Sequence, residues 1–317
     1  MTADNMVSYN RFYFRGFFYK GDGVMEDMIF NRYDNEKSGV AGKLQKKRNY
    51  LSYRKYVNGY TKEMGDKEEQ PIFELIELET VNRCNSGCSF CPVNKKSDTR
   101  EYCRMTDELF EKIIGELADL DYSYRLGLYS NNEPFLDEDI IRRVKYAREK
   151  LPKAFLEIYT NGTLLTLEQF LEVIPHLDSL KIDNYNQNLT LHKPVQEIYD
   201  YCTEHNVYQD KVKIYPRKIN EVLSTRGGAS PNAKIEKTLN ASCILPFKQL
   251  VIRPDGKVSL CCSDALGQMT LGDLAVESIM DVWNGQAYRG IRKLLKEKGR
   301  AGLRLCKGCD MTIYYKS

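Results

Sequence analysis

The sequence predicts an α/β protein: a partial (β/α) barrel followed by a smaller C-terminal module. Three observations carry this expectation. Between residues 72 and 216, short apolar runs alternate with segments of helical spacing, the pattern of a parallel sheet with helical crossovers. After about residue 235 the alternation stops, and a hairpin followed by short helices takes over. Cysteines gather at 84–91 and again between 243 and 309, one group in each part. A chain of 317 residues has room for about two such units, each with its own core.

Residues 1–70 stand apart as an N-terminal extension. They are rich in Tyr and Phe and carry the basic run "KLQKKRNYLSYRK" (43–55). A solvated helix face is the default reading of that run, and a phosphate on a nucleotide- or lipid-linked sugar is the alternative. "MVSYNRFYFRGFFYKGDGV" (6–24) alternates aromatic and polar residues, which suits a short hairpin covering the barrel. "GDKEEQP" (65–71) is charged and closed by a proline, as a linker is. The expected divisions are therefore 1–70, 71–235 and 236–317.

From there "IFELIELETV" (72–81) reads as a buried strand. "MTDELFEKIIGEL" (105–117) opens on Thr106 as a cap, keeps helical spacing, and leads to the strand "RLGLYS" (125–130). "DEDIIRRVKYAREKL" is the next helix and "AFLEIYT" (154–160) the third strand. "TLEQFLEVI" precedes the strand "SLKID", and "PVQEIYDYCTEH" precedes "VKIYP" (212–216). Five strands are visible, with room for a sixth. In such a barrel the chemistry belongs at the C-terminal ends of the strands. "FKQLVIRPDGKVSLCC" (247–262) is a hairpin turning at Pro254-Asp255-Gly256. "ESIMDVWNG", "QAYRGIRKLLKEK" and "CKGC" (306–309) complete the second module.

A net charge of +3 offers no argument for nucleic acid. No apolar run approaches the roughly 18 residues that span a bilayer, and Arg11, Arg15 and Lys20 interrupt the N-terminal aromatics before a secretory signal can form. The expected compartment is the cytoplasm, where ten cysteines read as metal ligands or catalytic groups before disulfides.

"ETVNRCNSGCSFCPVN" (79–94) sets Cys84, Cys88 and Cys91 directly after the first strand as Cys-x3-Cys-x2-Cys. Three thiolates on one short loop can hold three irons of a four-iron cluster and leave the fourth open. Zinc fits the spacing poorly, since zinc knuckles pair their cysteines and a closed site needs a fourth ligand that no nearby His or Cys supplies. Cys243, Cys261, Cys306 and Cys309 form a second set, which suits either zinc or a four-iron cluster by spacing alone. Cys103 and Cys202 read as packing residues. Cys262, beside a ligand, is an alternate ligand, a buried bystander or a hydrogen-atom donor.

Cys84, Cys88, Phe90 and Cys91 resemble the radical S-adenosylmethionine (radical SAM) signature, in which an aromatic precedes the third cysteine. The resemblance implies that the open iron chelates S-adenosylmethionine, whose reductive cleavage yields a 5′-deoxyadenosyl radical, and that the Phe90 backbone meets the adenine. "YSNNEPFL" (129–136) is similar to the family's Gly-Gly-Glu-Pro motif for the methionyl amine: Glu133 and Pro134 match, while Asn131 and Asn132 replace the glycines. Thr160-Asn161-Gly162 matches the Thr-Asn-Gly of many relatives, and a plain turn is its bland reading. Asp183 and Asn184 are candidates for the cofactor's ribose or carboxylate.

The C-terminal segments "CILPFKQLVIRPDGKVSLCCSD", "LGDL", "DVWNG" and "CKGC" resemble the twitch form of the SPASM auxiliary domain, which implies that the second set holds a four-iron cluster. Over about residues 73–312 the chain is similar to aminocyclitol-oxidising members of the superfamily. That likeness implies a small sugar or cyclitol substrate, oxidation of a secondary alcohol to a ketone, and a flavodoxin- or ferredoxin-type reductant. It places Arg226, of "VLSTRGG" (222–228), beside the hydroxyl, where a guanidinium orients the oxygen better than it takes a proton. Gly227 and Gly228 let the backbone pass close to a ligand. Tyr215, Ser263 and Asp264 are further lining candidates. The alternatives are sugar epimerisation with Cys262 as hydrogen donor, peptide modification with residues 1–70 recognising a leader, and an iron–sulfur electron carrier, against which the open three-cysteine site argues.

Overall fold

A computed structural model of the chain describes residues 28–30 and 40–312, with side chains between 40 and 47 left aside. The hairpin expected at 6–24 lies outside the described residues. The first helix among the described residues is α1 (Val40–Met64), which contains the whole basic run, and strand β1 (Leu75–Leu78) follows. Then come α2 (Asp107–Asp119), β2 (Arg125–Gly127), α3 (Ile140–Lys150), β3 (Phe155–Thr160), α4 (Leu167–Val173), β4 (Ser179–Tyr185), α5 (Lys193–His205) and β5 (Val212–Arg217). The C-terminal part contains α6 (Leu245–Lys248), β6 (Gln249–Ile252), β7 (Lys257–Ser259), β8 (Thr270–Asp273), α7 (Ile279–Trp283), α8 (Gln286–Lys298) and α9 (Arg304–Lys307).

Local sequence explains the helices. On α2, Phe110, Ile113, Ile114 and Leu117 are buried at helical spacing, and Thr106 caps the start by accepting from the Leu109 N–H at 3.2 Å; such a cap contributes about 1 kcal/mol. Thr166 and Gln169 form a reciprocal capping box on α4.

One eight-stranded sheet runs in the order β5-β4-β3-β2-β1-β6-β7-β8. The first five strands are parallel neighbours, as expected. The sixth is β6, which pairs parallel to β1 (Ile76 opposite Leu250) and antiparallel to β7 (Ile252 opposite Val258). The hairpin at 247–262 therefore forms, and its first strand also closes onto the barrel, so the sheet runs straight through position 235. "GDKEEQP" is not a loose connection either: Gln70 is buried, its N–H donates to Asn284 Oδ1 at 3.1 Å, and the Pro71 carbonyl accepts from Trp283 Nε1 at 3.1 Å.

Period-two alternation divides the sheet into two chemistries. Ile76, Leu126, Leu156, Ile158, Leu180, Ile182, Ile214 and Leu250 are buried in the core with the helices. The opposite face carries Glu77, Glu157, Tyr159, Lys181, Asp183, Tyr215, Arg217 and Gln249.

Gly162 follows β3 with φ +74°, and a Cβ there would meet Val195 Cγ2 at 2.5 Å and Ile182 Cγ2 at 2.7 Å. Gly162→Ala is expected to cost about 2 kcal/mol through overpacking and a disfavoured φ. A lowered thermal unfolding midpoint checks this; an unchanged midpoint would mean that α5 yields freely.

Candidate active site

The loop after β1 presents the first thiols. Ser86 N–H donates to Cys84 Sγ at 3.4 Å, Ser86 Oγ lies 3.0 Å from Cys88 Sγ, and Asn161 Nδ2 approaches Cys84 Sγ at 3.9 Å. Asn94 Nδ2 donates to the carbonyls of Cys91 (2.6 Å) and Cys88 (3.3 Å), which fixes the turn. Burial pushes the Cys84 thiol up to about 12 and the Cys88 thiol to about 11. The protein alone leaves these thiols neutral, and a bound metal would ionise them. Three sulfurs on one turn, two of them flanked by N–H and O–H donors, fit an iron–sulfur cluster by donor chemistry.

The loops after β2 and β3 lock against this turn. Glu133, 1% exposed, accepts from Thr160 Oγ1 at 2.6 Å, Asn161 N at 2.7 Å and Phe135 N at 3.2 Å, while its own N–H donates to the Arg83 carbonyl at 2.8 Å. Through its carboxylate and its backbone N–H together, Glu133 ties three loops to one another. Asn161 Nδ2 donates to Asn85 Oδ1 at 2.8 Å, inside the cysteine loop. The Asn131 N–H donates to Glu79 Oε1 at 2.9 Å, and Asn132 Nδ2 is buried without a partner. The Phe90 carbonyl accepts from Ser230 Oγ at 3.0 Å and keeps a second lone pair. An orphaned amide donor and a half-used carbonyl beside the thiols fit a polar cofactor such as S-adenosylmethionine.

On β4, Asp183 and Asn184 part company. Asp183 accepts from Arg217 Nε at 2.7 Å on the polar face and lies in the field of Cys88. Asn184 points the other way, donating to the Thr190 carbonyl at 2.9 Å and accepting from His192 N at 2.8 Å. Its expected contact with a cofactor is corrected by alternation: consecutive strand residues face opposite sides.

Arg226 has φ +47°, a strained value for a residue with a side chain. Gly227 is equally left-handed at φ +62°, and a Cβ there would strike Leu305 Cδ2 at 2.7 Å. The Arg-Gly-Gly turn is thus wedged against α9. Burial would depress the Arg226 pKa, but the field of Cys91, Cys262, Tyr185 and Glu77 outweighs it, so the group stays cationic. Arg226 donates to Asn131 Oδ1 at 3.3 Å and borders a cavity of about 210 Å³ with Ser263, Asp264, Gln268 and Arg304. Tyr215 does not line that cavity. It sits on β5 opposite Asp183, its ring 5.5 Å from that of Phe30.

The second thiol set also assembles. Cys243, Cys261, Cys306 and Cys309 are all buried; burial first, then Cys262 and the other three thiols, push Cys261 well up. Among the described residues no three His, Cys, Asp or Glu side chains close on one metal position. Cys202 lies in the hydrophobic core and Cys103 beside the Arg104 carbonyl, apart from both sets.

Several buried charges escaped the sequence reading. Glu77 accepts from Ser130 Oγ at 2.7 Å and Gln249 Nε2 at 2.8 Å, and burial raises it to about 7. Burial likewise raises Glu79 to about 7, although Arg100 pairs with it at 3.3 Å. Glu157, fully buried, would rise too, but Lys181 and Arg125 hold it below the ordinary range. The one sequence signal was Glu77 and Glu79 at period two inside an apolar strand.

The sequence profile of the Radical SAM superfamily matches residues 78–206, and that of the SPASM iron-sulfur cluster-binding domain matches 243–310. The S-adenosyl-L-methionine-dependent 2-deoxy-scyllo-inosamine dehydrogenase of Niallia circulans is 31% identical over 240 residues, 75% of this chain and 93% of the relative. Among solved structures, BtrN in complex with AdoMet and 2-DOIA aligns with a TM-score of 0.67 at 27% identity, covering 77% of this chain and 95% of that one. An open conformation of BtrN, at 23% identity and a TM-score of 0.58 over 77% and 94% of the two chains, agrees in fold. The two profile matches fall on the parallel sheet with its thiol loop and on the second thiol set, and the dehydrogenase matches across three quarters of the chain, so this protein belongs to the radical SAM superfamily, as an oxidoreductase that uses S-adenosylmethionine and four-iron clusters.

Proposed function

We propose that the chain is a dehydrogenase that oxidises a secondary alcohol on a cyclitol or sugar ring to a ketone. One observation carries the reading: Arg226 donates to Asn131 Oδ1 at 3.3 Å and borders the cavity with Ser263 and Asp264, in the field of Cys91, Cys262 and the buried Glu77. The name of the Niallia circulans relative supports a cyclitol substrate. Residues 71–235 are the radical-generating unit and 236–317 the auxiliary unit, with 1–70 an added extension. Cys84, Cys88 and Cys91 would hold one cluster, and Cys243, Cys261, Cys306 and Cys309 the other. Phe90, Asn131, Asn132 and Asp183 would face S-adenosylmethionine, while Glu133, Thr160 and Asn161 fix the loops around it. When bound, S-adenosylmethionine on the first cluster supplies a radical that removes the carbinol hydrogen atom, and the second cluster supplies an acceptor for the remaining electron.

The protein's own part is to manage the hydroxyl. Arg226 donates to its oxygen and stabilises the negative charge that develops there. Glu77 takes the proton on a carboxylate oxygen, held in place by Ser130 and Gln249. Each turnover starts with one electron from a flavodoxin- or ferredoxin-type donor. Ten cysteines without a disulfide suit a reducing compartment such as the cytoplasm, and no helix among the described residues is long and apolar enough to cross a membrane.

The test uses anaerobically reconstituted protein in deuterated water with a panel of aminocyclitols and sugars. A product lighter by two hydrogens, formed with 5′-deoxyadenosine, is the expected result. A product carrying one solvent deuterium would mean epimerisation with Cys262 as donor, and no deoxyadenosine above background would overturn the small-polyol reading.

Glu77 makes the reading specific. Its pKa is raised, so it becomes an ionised base only as pH climbs through about 7, and kcat should rise across that window. Glu77→Gln is expected to lower kcat by ~100-fold or more and to flatten the profile; a profile still rising through 7 would remove Glu77 as the base. Arg226→Gln should likewise cost ~100-fold or more in kcat, with iron content unchanged.

A further inference from the structure

Helix α1 lies before both matched segments, and its buried face converges on the second thiol set. Tyr53 and Val57 pack with Ala241 and Ile244, the residues flanking Ser242 and Cys243. Arg300, 1% exposed, donates through Nε to the Ser242 carbonyl at 3.3 Å, through Nη1 to the Cys309 carbonyl at 3.1 Å, and through Nη2 to Tyr53 Oη at 2.8 Å and to the Met311 carbonyl. Tyr53 Oη in turn donates to the Ser242 carbonyl at 3.4 Å. One guanidinium thus grips the backbone beside Cys243 and at Cys309, and a phenol from α1 fixes its fork. The acidic groups in its field are the thiols of Cys243, Cys309 and Cys306 and the Tyr53 phenol, with no carboxylate among them. A buried cation faced by thiols instead of a carboxylate is costly unless those thiols carry charge, as they do when they ligate metal.

We propose that Arg300, held in place by Tyr53 of α1, is the built-in counter-charge of the second cluster and raises its one-electron reduction potential. The inference rests on the reading that Cys243, Cys261, Cys306 and Cys309 hold that cluster. Adding one electron adds one negative charge beside a fixed cation, so the reduced form is favoured; removing the cation favours the oxidised form. Helix α1 thereby acquires a role that the barrel itself does not supply: it sets how readily the cluster accepts an electron.

The experiment uses the full-length chain with Cys84, Cys88 and Cys91 replaced by alanine, so that the remaining iron signal belongs to the second set. The protein is reconstituted anaerobically and titrated electrochemically with electron paramagnetic resonance detection. Arg300→Gln should shift the reduction equilibrium at least tenfold toward the oxidised cluster, ~59 mV for one electron. Tyr53→Phe should shift it the same way by less, and Arg300→Lys, which keeps the charge, should stay near the parent. Arg300→Gln and Tyr53→Phe proteins that keep the parent's iron and its potential would overturn the proposal. Should Arg300→Gln lose the cluster, Tyr53→Phe, which lacks a single oxygen, decides in the same titration. A parent chain that binds no four-iron cluster would overturn the cysteine assignment itself, a different failure with a different readout.

Discussion

The site depends on the parallel pairing of β1 with a neighbour on each side. β2 and β6 both run with it, so the loops leaving β1 and β2 emerge at one edge of the sheet, and the first thiols meet Asn131 and Glu133 there. The turn at Pro254–Gly256 then sends β7 back, until the Cys262 N–H reaches the Gln249 side chain at the start of β6. The Cys262 carbonyl in turn accepts from Asn131 Nδ2 at 3.4 Å, which holds the second module against the loop after β2. Glu77 lies on the polar face of the sheet, and Arg226 reaches its field from the turn at 226–228.

Magnitudes decide what the buried charges on that face can do. Three glutamates are equally desolvated, and their neighbours separate them. Glu157 has both Arg125 and Lys181 and stays ionised. Glu79 has Arg100, which also donates to the carbonyls of Asn82 and Asn131 and so serves the loops as much as the carboxylate. Glu77 is held by an amide and a hydroxyl, with Arg226 only in its field. Neutral donors offset desolvation less than a paired cation does, so Glu77 is the member of the three poised to exchange a proton near neutrality without an ion pair to break.

Helix boundaries were legible because their signals are local. The Thr106 cap and the Pro254-Asp255-Gly256 turn each lie within four residues of what they stabilise. The thiol loop was legible for the same reason: three cysteines in eight positions have few other uses. In the polar signature at 129–136 the carboxylate of Glu133 is engaged by Thr160 and Asn161, residues that a linear reading treated as a separate motif. Asn184 was drawn in by proximity to Asp183 in sequence, and strand alternation sends it to the other face.

Local spacing by itself determined the alternation of strands and helices and the three-cysteine loop, since each rests on residues close in the chain, whereas the superfamily and the cluster at the second thiol set were read from resemblance to known motifs. Only the tertiary structure decided that β6 joins the barrel, that Glu77 and Arg226 share one polar space, and that Tyr53 reaches Arg300 across 247 residues of sequence. Those relations depend on strand pairing and on the burial of charge against particular neighbours. Both are set by where the chain returns to itself, which no stretch of sequence encodes alone.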